Sequence, residues 1–157
     1  MDRRDVLAGG VGVGLLVLAD TAFADDKKPM PMPMPAKKDA PGLPSGLLQA
    51  IANVEAKAQA CAAHCQIELA NGDTAFARCS AAVNDMLVVA VATHSLVARH
   101  SPNAKKMAET CVAACKECSA ACAEHKAHWA HGMHLECKEC MEACDACAKA
   151  CAAFAAA

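Results

Sequence analysis

From residue 45 to the end of the chain, apolar residues recur at every third or fourth position, and no stretch shows the alternation typical of a strand. This spacing places apolar side chains on one face of each helix and charged residues on the other. Asn71-Gly72 and Gly132 interrupt the pattern. Asp73 and Ser101 are suitable helix caps, and Pro102 suits a first helical position. We therefore expect helices over about residues 45–70, 73–100, 101–131 and 133–155.

The connections between these helices are short, which favours antiparallel neighbours. The predicted fold class is all-α, an antiparallel up-down-up-down four-helix bundle formed by residues 45–157. In this topology the loops at Gly72 and Gly132 lie at the same end of the bundle.

Residues 1–24 have the features of a cleaved export signal. Arg3 and Arg4 precede a weakly apolar stretch over residues 6–19, and Ala22-Phe23-Ala24 provides a small-x-small cleavage pattern. The paired arginines resemble the twin-arginine signal, which exports proteins after they fold, and a general secretory signal is the alternative. The apolar stretch is too short to cross a bilayer comfortably. We expect an exported, periplasmic protein whose mature chain has no membrane span.

Residues 25–44 form a segment rich in methionine and proline. The run from Met30 to Pro35 lacks the amide donors that helices and sheets need, so we expect an extended, disordered linker. Its thioethers suit soft metal ions, although a plain tether is the simpler interpretation.

The composition changes the picture of the core, because the chain has 12 cysteines but only three phenylalanines, one tryptophan and no tyrosine. Few large apolar side chains are left to fill an interior, and cysteine is the obvious substitute. The formal net charge is −2 and no basic patch is present, which argues against a nucleic-acid partner.

The cysteines fall on the inward faces of the predicted helices and so line the core. On the fourth helix they follow one another at spacings of three and four residues, which keeps them on one seam. The third helix repeats this pattern, and the first two helices contribute three more. The set is Cys61, Cys65, Cys79, Cys111, Cys115, Cys118, Cys122, Cys137, Cys140, Cys144, Cys147 and Cys151.

Three interpretations of this ladder compete. Buried cysteines can act as small hydrophobic residues, but nine thiols on two helices would fill a core poorly. Disulfides suit an exported protein with an even number of cysteines, yet neighbours on one helix are poor partners for each other. Thiolates also bind Cu(I), Zn(II) and iron–sulfur clusters.

Among the metals, Cu(I) fits the pattern best. Structural zinc uses closed groups of four ligands, usually near loops, and iron–sulfur motifs wrap a loop around the cluster. A continuous ladder on straight helices suits an ion that accepts two or three ligands. One Cu(I) per thiolate would also neutralise charges whose burial alone is prohibitive. The ladder favours multiple Cu(I) ions per chain, with the other interpretations still open.

Residues 45–155 resemble the bacterial copper storage proteins, a family of cysteine-rich four-helix bundles. The segment from Cys111 to Cys122 and the run from Cys137 to Cys151 are similar to that family's third and fourth helices. The resemblance implies a tetramer of bundles, Cu(I) held mainly by cysteine pairs, and reversible storage without catalysis. Exported members carry twin-arginine leaders and are associated with methane-oxidising bacteria, which implies a copper enzyme as a possible client.

The predicted topology divides the ladder into two halves. Eight cysteines lie in the half nearest the Gly72 and Gly132 loops, while the third and fourth helices alone supply the other half, with Cys111, Cys115, Cys147 and Cys151. The facing positions of the first two helices there are Ile51, Val54, Ala58, Val83 and Ala90. Met86 lies near the boundary, where its thioether is either an extra metal ligand or core filling.

Histidines gather at the loop end of the predicted bundle. His125 continues the cysteine seam and is the best candidate there for a metal ligand. We expect the others, namely His128, His131 and His134 with Met133, to be mainly exposed, and we expect His94 and His100 to be structural residues towards the opposite end.

No catalytic constellation is apparent in the sequence. No nucleophile with its base appears, and the histidine group lacks the carboxylate partners of a redox copper or zinc enzyme. We therefore expect a protein without enzymatic activity. The main alternative to a copper store is a periplasmic copper chaperone or detoxifying sink, and a disulfide-stabilised structural bundle comes next.

Overall fold

The computed structural model describes residues 45–157, and this part of the chain is helical apart from its turns. Its long α-helices are α1 (Ser45–Ala70), α2 (Ala77–Ala98), α3 (Ala104–Ala123) and α4 (Leu135–Ala156). Short 3-10 helices, Thr74–Phe76 and Lys126–His131, precede α2 and α4. An all-helical fold with four long helices is therefore confirmed for residues 45–157. The predicted export signal and the methionine-proline linker lie outside the described residues.

Helix α1 ends at the turn that the sequence predicts. Gly72 has a φ of +93°, a conformation that glycine adopts without the strain a Cβ would cause. The Asp73 amide then donates a hydrogen bond back to the Glu68 carbonyl at 3.0 Å, in the pattern typical of a glycine C-cap.

The starts of α2 and α3 differ from the prediction by about a turn. The Asp73 carboxylate accepts a hydrogen bond from the Ala75 amide at 3.0 Å, so it caps the 3-10 helix and not α2 itself. The Ser101 hydroxyl accepts a hydrogen bond from the Asn103 amide at 3.3 Å, and α3 begins only at Ala104. In both places the capping side chain forms a tight turn that delays the α-helix.

The predicted continuation of the third helix to Gly132 is wrong. Helix α3 ends at Ala123, because the backbone tightens there to hydrogen bonds between residues three apart. The Glu124 amide donates to the Ala121 carbonyl at 3.3 Å, and the His125 amide donates to the Cys122 carbonyl at 3.2 Å. A 3-10 helix is the usual product of such tightening, and it carries the chain to Gly132.

Each long helix packs against two others, in the cyclic order α1, α2, α3, α4 and back to α1. Glu55 of α1 lies 3.1 Å from His94 late in α2, whereas His64, further along α1, packs on Phe76 just before α2. The bundle's surface carries ion pairs between helices, such as Lys57 with Glu139 at 2.7 Å. Exposed pairs of this kind contribute little stability, so packing of the interior holds the helices together.

The interior consists of small and medium side chains at helical spacing. The residues expected to face the lower ladder are all fully buried, namely Ile51, Val54, Ala58, Val83 and Ala90. The largest fully buried side chains are Phe76, Leu47, Ile51 and Met86. Because α1 and α2 supply these aliphatic residues and α3 and α4 supply most of the cysteines, one core contains two chemically different halves.

The segment Thr74–Ala98 is long and apolar enough to cross a membrane by length and composition. It packs between α1 and α3, and its Cys79, Val83 and Met86 side chains are fully buried in the shared core. Part of its apolar character therefore belongs to the interior of the bundle, although Val88 and Val91 are exposed.

We predict that the reduced, metal-free protein is already strongly helical. Neutral thiols and aliphatic residues give each helix a continuous buried face, so no metal is needed to hold the helices together. Far-ultraviolet circular dichroism of the protein in a reductant and a Cu(I) chelator checks this. A random-coil spectrum that becomes helical only when Cu(I) is added would contradict the prediction.

Candidate metal centre

All twelve cysteines are buried with no exposed surface, and all are free thiols in the described helices. Their spacing of three and four residues on α3 and α4 keeps each series on the buried face of its helix. We call this connected set of sulfur atoms the thiol column. It comprises Cys61, Cys65, Cys79, Cys111, Cys115, Cys118, Cys122, Cys137, Cys140, Cys144, Cys147 and Cys151.

The first part of the column draws on all four helices. The sulfur atoms of Cys61, Cys65, Cys79 and Cys137 lie within 4.8 Å of one another. Cys61 is central, since its Sγ is 3.9 Å from that of Cys79 and 3.8 Å from that of Cys137. Cys122 joins this group through a separation of 3.6 Å from Cys79 and 3.9 Å from Cys61.

The middle of the column passes from α1 to the pair α3 and α4. Cys61, Cys122 and Cys140 form one compact group, and Cys118, Cys140 and Cys144 form the next. Cys140 belongs to both groups, and its Sγ is 3.8 Å from that of Cys118. The thiols are therefore shared between neighbouring groups and are not divided into separate sites.

The last part of the column belongs to α3 and α4 alone. Cys111, Cys147 and Cys151 form a compact group. The sulfur separations are 3.9 Å from Cys111 to Cys115 and 3.9 Å from Cys147 to Cys151. The thiol column thus has one part formed by all four helices and another formed by α3 and α4 alone, as the positions of the cysteines on the helices predict. Met86 is fully buried in the same core.

The sulfur separations bear on what the thiols can do. A disulfide needs about 2.05 Å between sulfurs, so the contacts of 3.6 to 3.9 Å are those of separate thiols. Two sulfurs bonded to one metal ion at about 2.3 Å lie roughly 3.8 to 4.6 Å apart, depending on the angle at the metal. Small rotations of the side chains are enough to place an ion between neighbours.

The thiols influence one another's protonation. The pKa of Cys144 is raised well above its ordinary value by its neighbours Cys115, Cys118 and Cys140, and then by burial. The pKa is also raised for Cys61, Cys65, Cys122, Cys137, Cys147 and Cys151. Hydrogen bonds from neighbouring thiols lower it for Cys79, Cys111 and Cys140. The seven thiols with a raised pKa therefore stay protonated at neutral pH, and metal binding must release their protons.

His125 lies at the loop end of the column and is 6% exposed. Its ring stacks on Phe76, with centroids 4.0 Å apart and planes within 4° of parallel. The Nε2 atom of His125 and the Nε1 atom of Trp129 are buried without a hydrogen-bond partner among the described residues. An unsatisfied buried imidazole nitrogen beside a thiol column suits a soft-metal ligand.

A group of imidazoles and carboxylates surrounds His125 at this end, which we call the mouth. His64 Nε2 lies 3.0 Å from His134 Nδ1, and His64 Nδ1 lies 3.9 Å from Glu68 and 3.8 Å from Glu136. The expectation that carboxylates are missing from the histidine group is therefore wrong. The loop sequence alone does not reveal them, because His64 and Glu68 belong to α1. The signal was present in α1, where His64 stands four residues before Glu68.

The other predicted mouth residues are peripheral. His128 is exposed, with its ring 5.2 Å from that of His134, and His131 and Met133 are exposed as well. His134 is only partly exposed, contrary to the expectation. Burial first, and then the nearby His64, lower its pKa.

Two histidines lie away from the mouth. His94 pairs with Glu55 at 3.1 Å, as a structural residue would. His100 is exposed at the end of α2 and has a φ of +54°.

Fold and site together define a class of protein, namely helical bundles with an interior of free thiols grouped closely enough to bind metal ions. The family model described as copper storage protein matches residues 45–156. The chain belongs to the copper storage protein family. Among curated proteins no relative matches.

We predict that the metal-free protein loses stability as the pH rises above about 9. Thiols of the unfolded chain ionise near that ordinary value, whereas the raised pKa of Cys122, Cys144 and five other thiols of the column keeps them protonated in the fold. A raised pKa in the folded state contributes stability below the ordinary value, and this contribution is lost at higher pH. Urea unfolding at pH 8.5, 9.5 and 10.5 should show a falling midpoint.

The matched control for this pH series is the same protein filled with Cu(I). Its thiolates have already lost their protons to the metal, so its midpoint should change much less over the same range. Equal alkaline losses with and without copper would show that ionisation of the thiol column is not the cause.

Proposed function

We propose that this chain is a reversible store for multiple Cu(I) ions, held by the thiolates of the column inside a four-helix bundle. The single observation that carries the proposal is the continuity of the column. Three groups share Cys61 or Cys140, and Cys115, which lies 3.9 Å from Cys111 and beside Cys144, joins the last group to them. The twelve buried free thiols therefore extend from Cys65 at one end to Cys151 at the other. A protein that held one ion would need one such group.

The chemistry of the ligands supports Cu(I) over other ions. Soft thiolates select Cu(I), Zn(II) and iron–sulfur clusters. A column of shared thiolates suits an ion that accepts two or three ligands, because each sulfur can then bridge two ions. One Cu(I) per thiolate leaves the buried column neutral, whereas a bare buried thiolate would cost several kcal/mol.

The proposed ligands are the twelve cysteines, with Met86 and His125 as additional donors. Met86 is fully buried in the core that contains the column, and its thioether is a soft ligand. The unpartnered Nε2 of His125 supports a role at the mouth, where ions would be received and passed on.

The proposed arrangement of the helices is antiparallel, up-down-up-down. It is supported by contacts in which the early part of one helix meets the late part of its neighbour. Early α1 meets late α2 at Glu55 and His94, and late α2 meets early α3 through the Thr93 hydroxyl, which lies 3.5 Å from the Met107 carbonyl. Early α4 meets late α1 at His134 and His64.

The biological setting that we propose is export to the periplasm by a twin-arginine signal over residues 1–24, with residues 25–44 as a linker. Export after folding suits this chain because its thiols would be buried before they reach an oxidising compartment. Family membership further suggests a tetramer, a copper enzyme as client and no catalytic activity of its own. A copper chaperone is less favoured, because it would have no use for so many connected thiols.

We predict that the chain binds about one Cu(I) per cysteine, about twelve in all. Anaerobic titration of the reduced protein against a chromophoric Cu(I) chelator measures this capacity directly. Saturation at one or two ions would end the storage proposal and favour a chaperone.

A second prediction compares two triple variants of equal size. Replacing Cys61, Cys65 and Cys79 with Ala should remove about a quarter of the Cu(I) capacity, since three of twelve thiols are lost and the two groups that contain none of them keep all their members. Replacing Cys144, Cys147 and Cys151 should remove more. Their partners on α3 lose the facing thiols, and α1 and α2 offer none there.

Both triple variants must remain helical by circular dichroism, which serves as the control for folding. Equal capacity losses in two folded variants would show that the column is not divided along its length into a part shared by four helices and a part formed by α3 and α4.

A further inference from the structure

The mouth contains a group of ligands whose chemistry differs from that of the thiol column. His64 and Glu68 stand four residues apart on α1, and His134 immediately precedes α4. One ligand atom from each of the three lies within 4.8 Å of the others. All three side chains are partly buried, so their positions are restrained by the surrounding structure.

The distances within this group suit a bound ion. Imidazole nitrogens bind a metal such as zinc at about 2.0 to 2.1 Å, and two of them at roughly tetrahedral or square angles lie about 3 Å apart. His64 Nε2 and His134 Nδ1 are 3.0 Å apart, a hydrogen bond between the two rings that a cation bound to both nitrogens would replace at a similar separation. Glu68 Oε1 is 3.9 Å from His64 Nδ1, beyond hydrogen-bonding distance, so its oxygen is not committed to the imidazole.

The backbone at His134 is a second, independent feature. His134 has a φ of +54°, in the left-handed region that residues with a Cβ seldom adopt. This conformation ends the turn that begins at Gly132, and it brings the His134 ring to 5.1 Å from that of His64. Strained backbone of this kind concentrates where a side chain must be held in a particular place.

Ligand type indicates the class of ion. Imidazole and carboxylate favour divalent ions of borderline hardness, and Cu(II) binds such sites more tightly than other divalent ions of its row. The thiol column, in contrast, suits a soft monovalent ion. The ligands of the mouth therefore suit Cu(II), whereas the thiol column suits Cu(I).

We propose that His64, His134 and Glu68 form a separate binding site for one divalent cation. Among divalent cations of its row, Cu(II) should bind there most tightly. The site goes beyond the proposed Cu(I) store and does not depend on it, because none of its ligands belongs to the thiol column. Glu136, with an oxygen 3.8 Å from His64 Nδ1, adds negative charge that favours a cation at this position.

The test uses the complete protein with its thiols first capped by Ag(I). Silver is soft, does not oxidise thiols under these conditions and is silent in electron paramagnetic resonance. Cu(II) is then added in substoichiometric steps, and the spectrum is recorded. We expect one Cu(II) per chain with superhyperfine coupling to two nitrogens.

Three variants locate the ion. His64→Gln with His134→Asn should abolish the two-nitrogen signal, and His134→Asn alone should reduce the coupling to one nitrogen while keeping the turn, because asparagine tolerates a positive φ. Glu68→Gln should keep both nitrogens and weaken Cu(II) binding several-fold. His131→Gln is the matched control, since His131 is exposed in the adjoining loop and should leave the signal unchanged.

A wild-type spectrum without two-nitrogen coupling, or the same spectrum in the double variant, would overturn the proposal, as would an equal loss in His131→Gln. If some thiols are not capped by Ag(I), the Cu(II) signal of the double variant is subtracted from that of the wild type. The difference then reports only the Cu(II) bound by His64 and His134. Failure of the thiols to take Ag(I) would weigh against the Cu(I) store, whereas failure of the nitrogen signal would weigh against the mouth site alone.

Discussion

Twelve thiols share the interior of this bundle with a small set of aliphatic side chains, and their dual character constrains the rest of the structure. A protonated thiol behaves as a small hydrophobic group, so it can be buried without a strong hydrogen-bond partner. The same sulfur as a thiolate is not tolerated in an apolar interior unless a cation neutralises it. The fold must therefore be stable with protonated thiols and must keep each sulfur within reach of a neighbour. The contacts of 3.6 to 3.9 Å between sulfurs meet both requirements.

Helix positions follow from local sequence, and this is why much of the fold could be predicted. Asn71-Gly72 ends α1 where the pattern indicates, because glycine closes a helix through interactions within a few residues. The end of α3 at Ala123 was not predicted, because residues 126–131 keep a helical pattern in sequence while the backbone forms a 3-10 helix. The two conformations differ by little energy, and the packing of His125 on Phe76 lies outside any local pattern.

The candidate metal centre also has some features that local sequence predicts and others that it does not. The burial of the cysteines follows from spacing on each helix, but the grouping of Cys61 with Cys137 depends on how far one helix is shifted along another. That shift is set by packing of the whole interior and cannot be read from the spacing of the cysteines along each helix. His64 was missed for the same reason, since its partner His134 stands 70 residues away in the chain.

The last group of the column has a consequence for the order in which ions move. Cys111, Cys147 and Cys151 belong to α3 and α4 alone, and the core that they share contains fully buried aliphatic residues of α1 such as Ile51 and Val54. In the proposed arrangement the polar mouth is at the other end, and a charged ion crosses an aliphatic wall only at high cost. In the proposed Cu(I) store, an ion in this group would leave by passing from sulfur to sulfur through positions that other ions occupy. Such a store would behave as a stack, in which the copper taken up last is the first to be released and the innermost ions are the oldest.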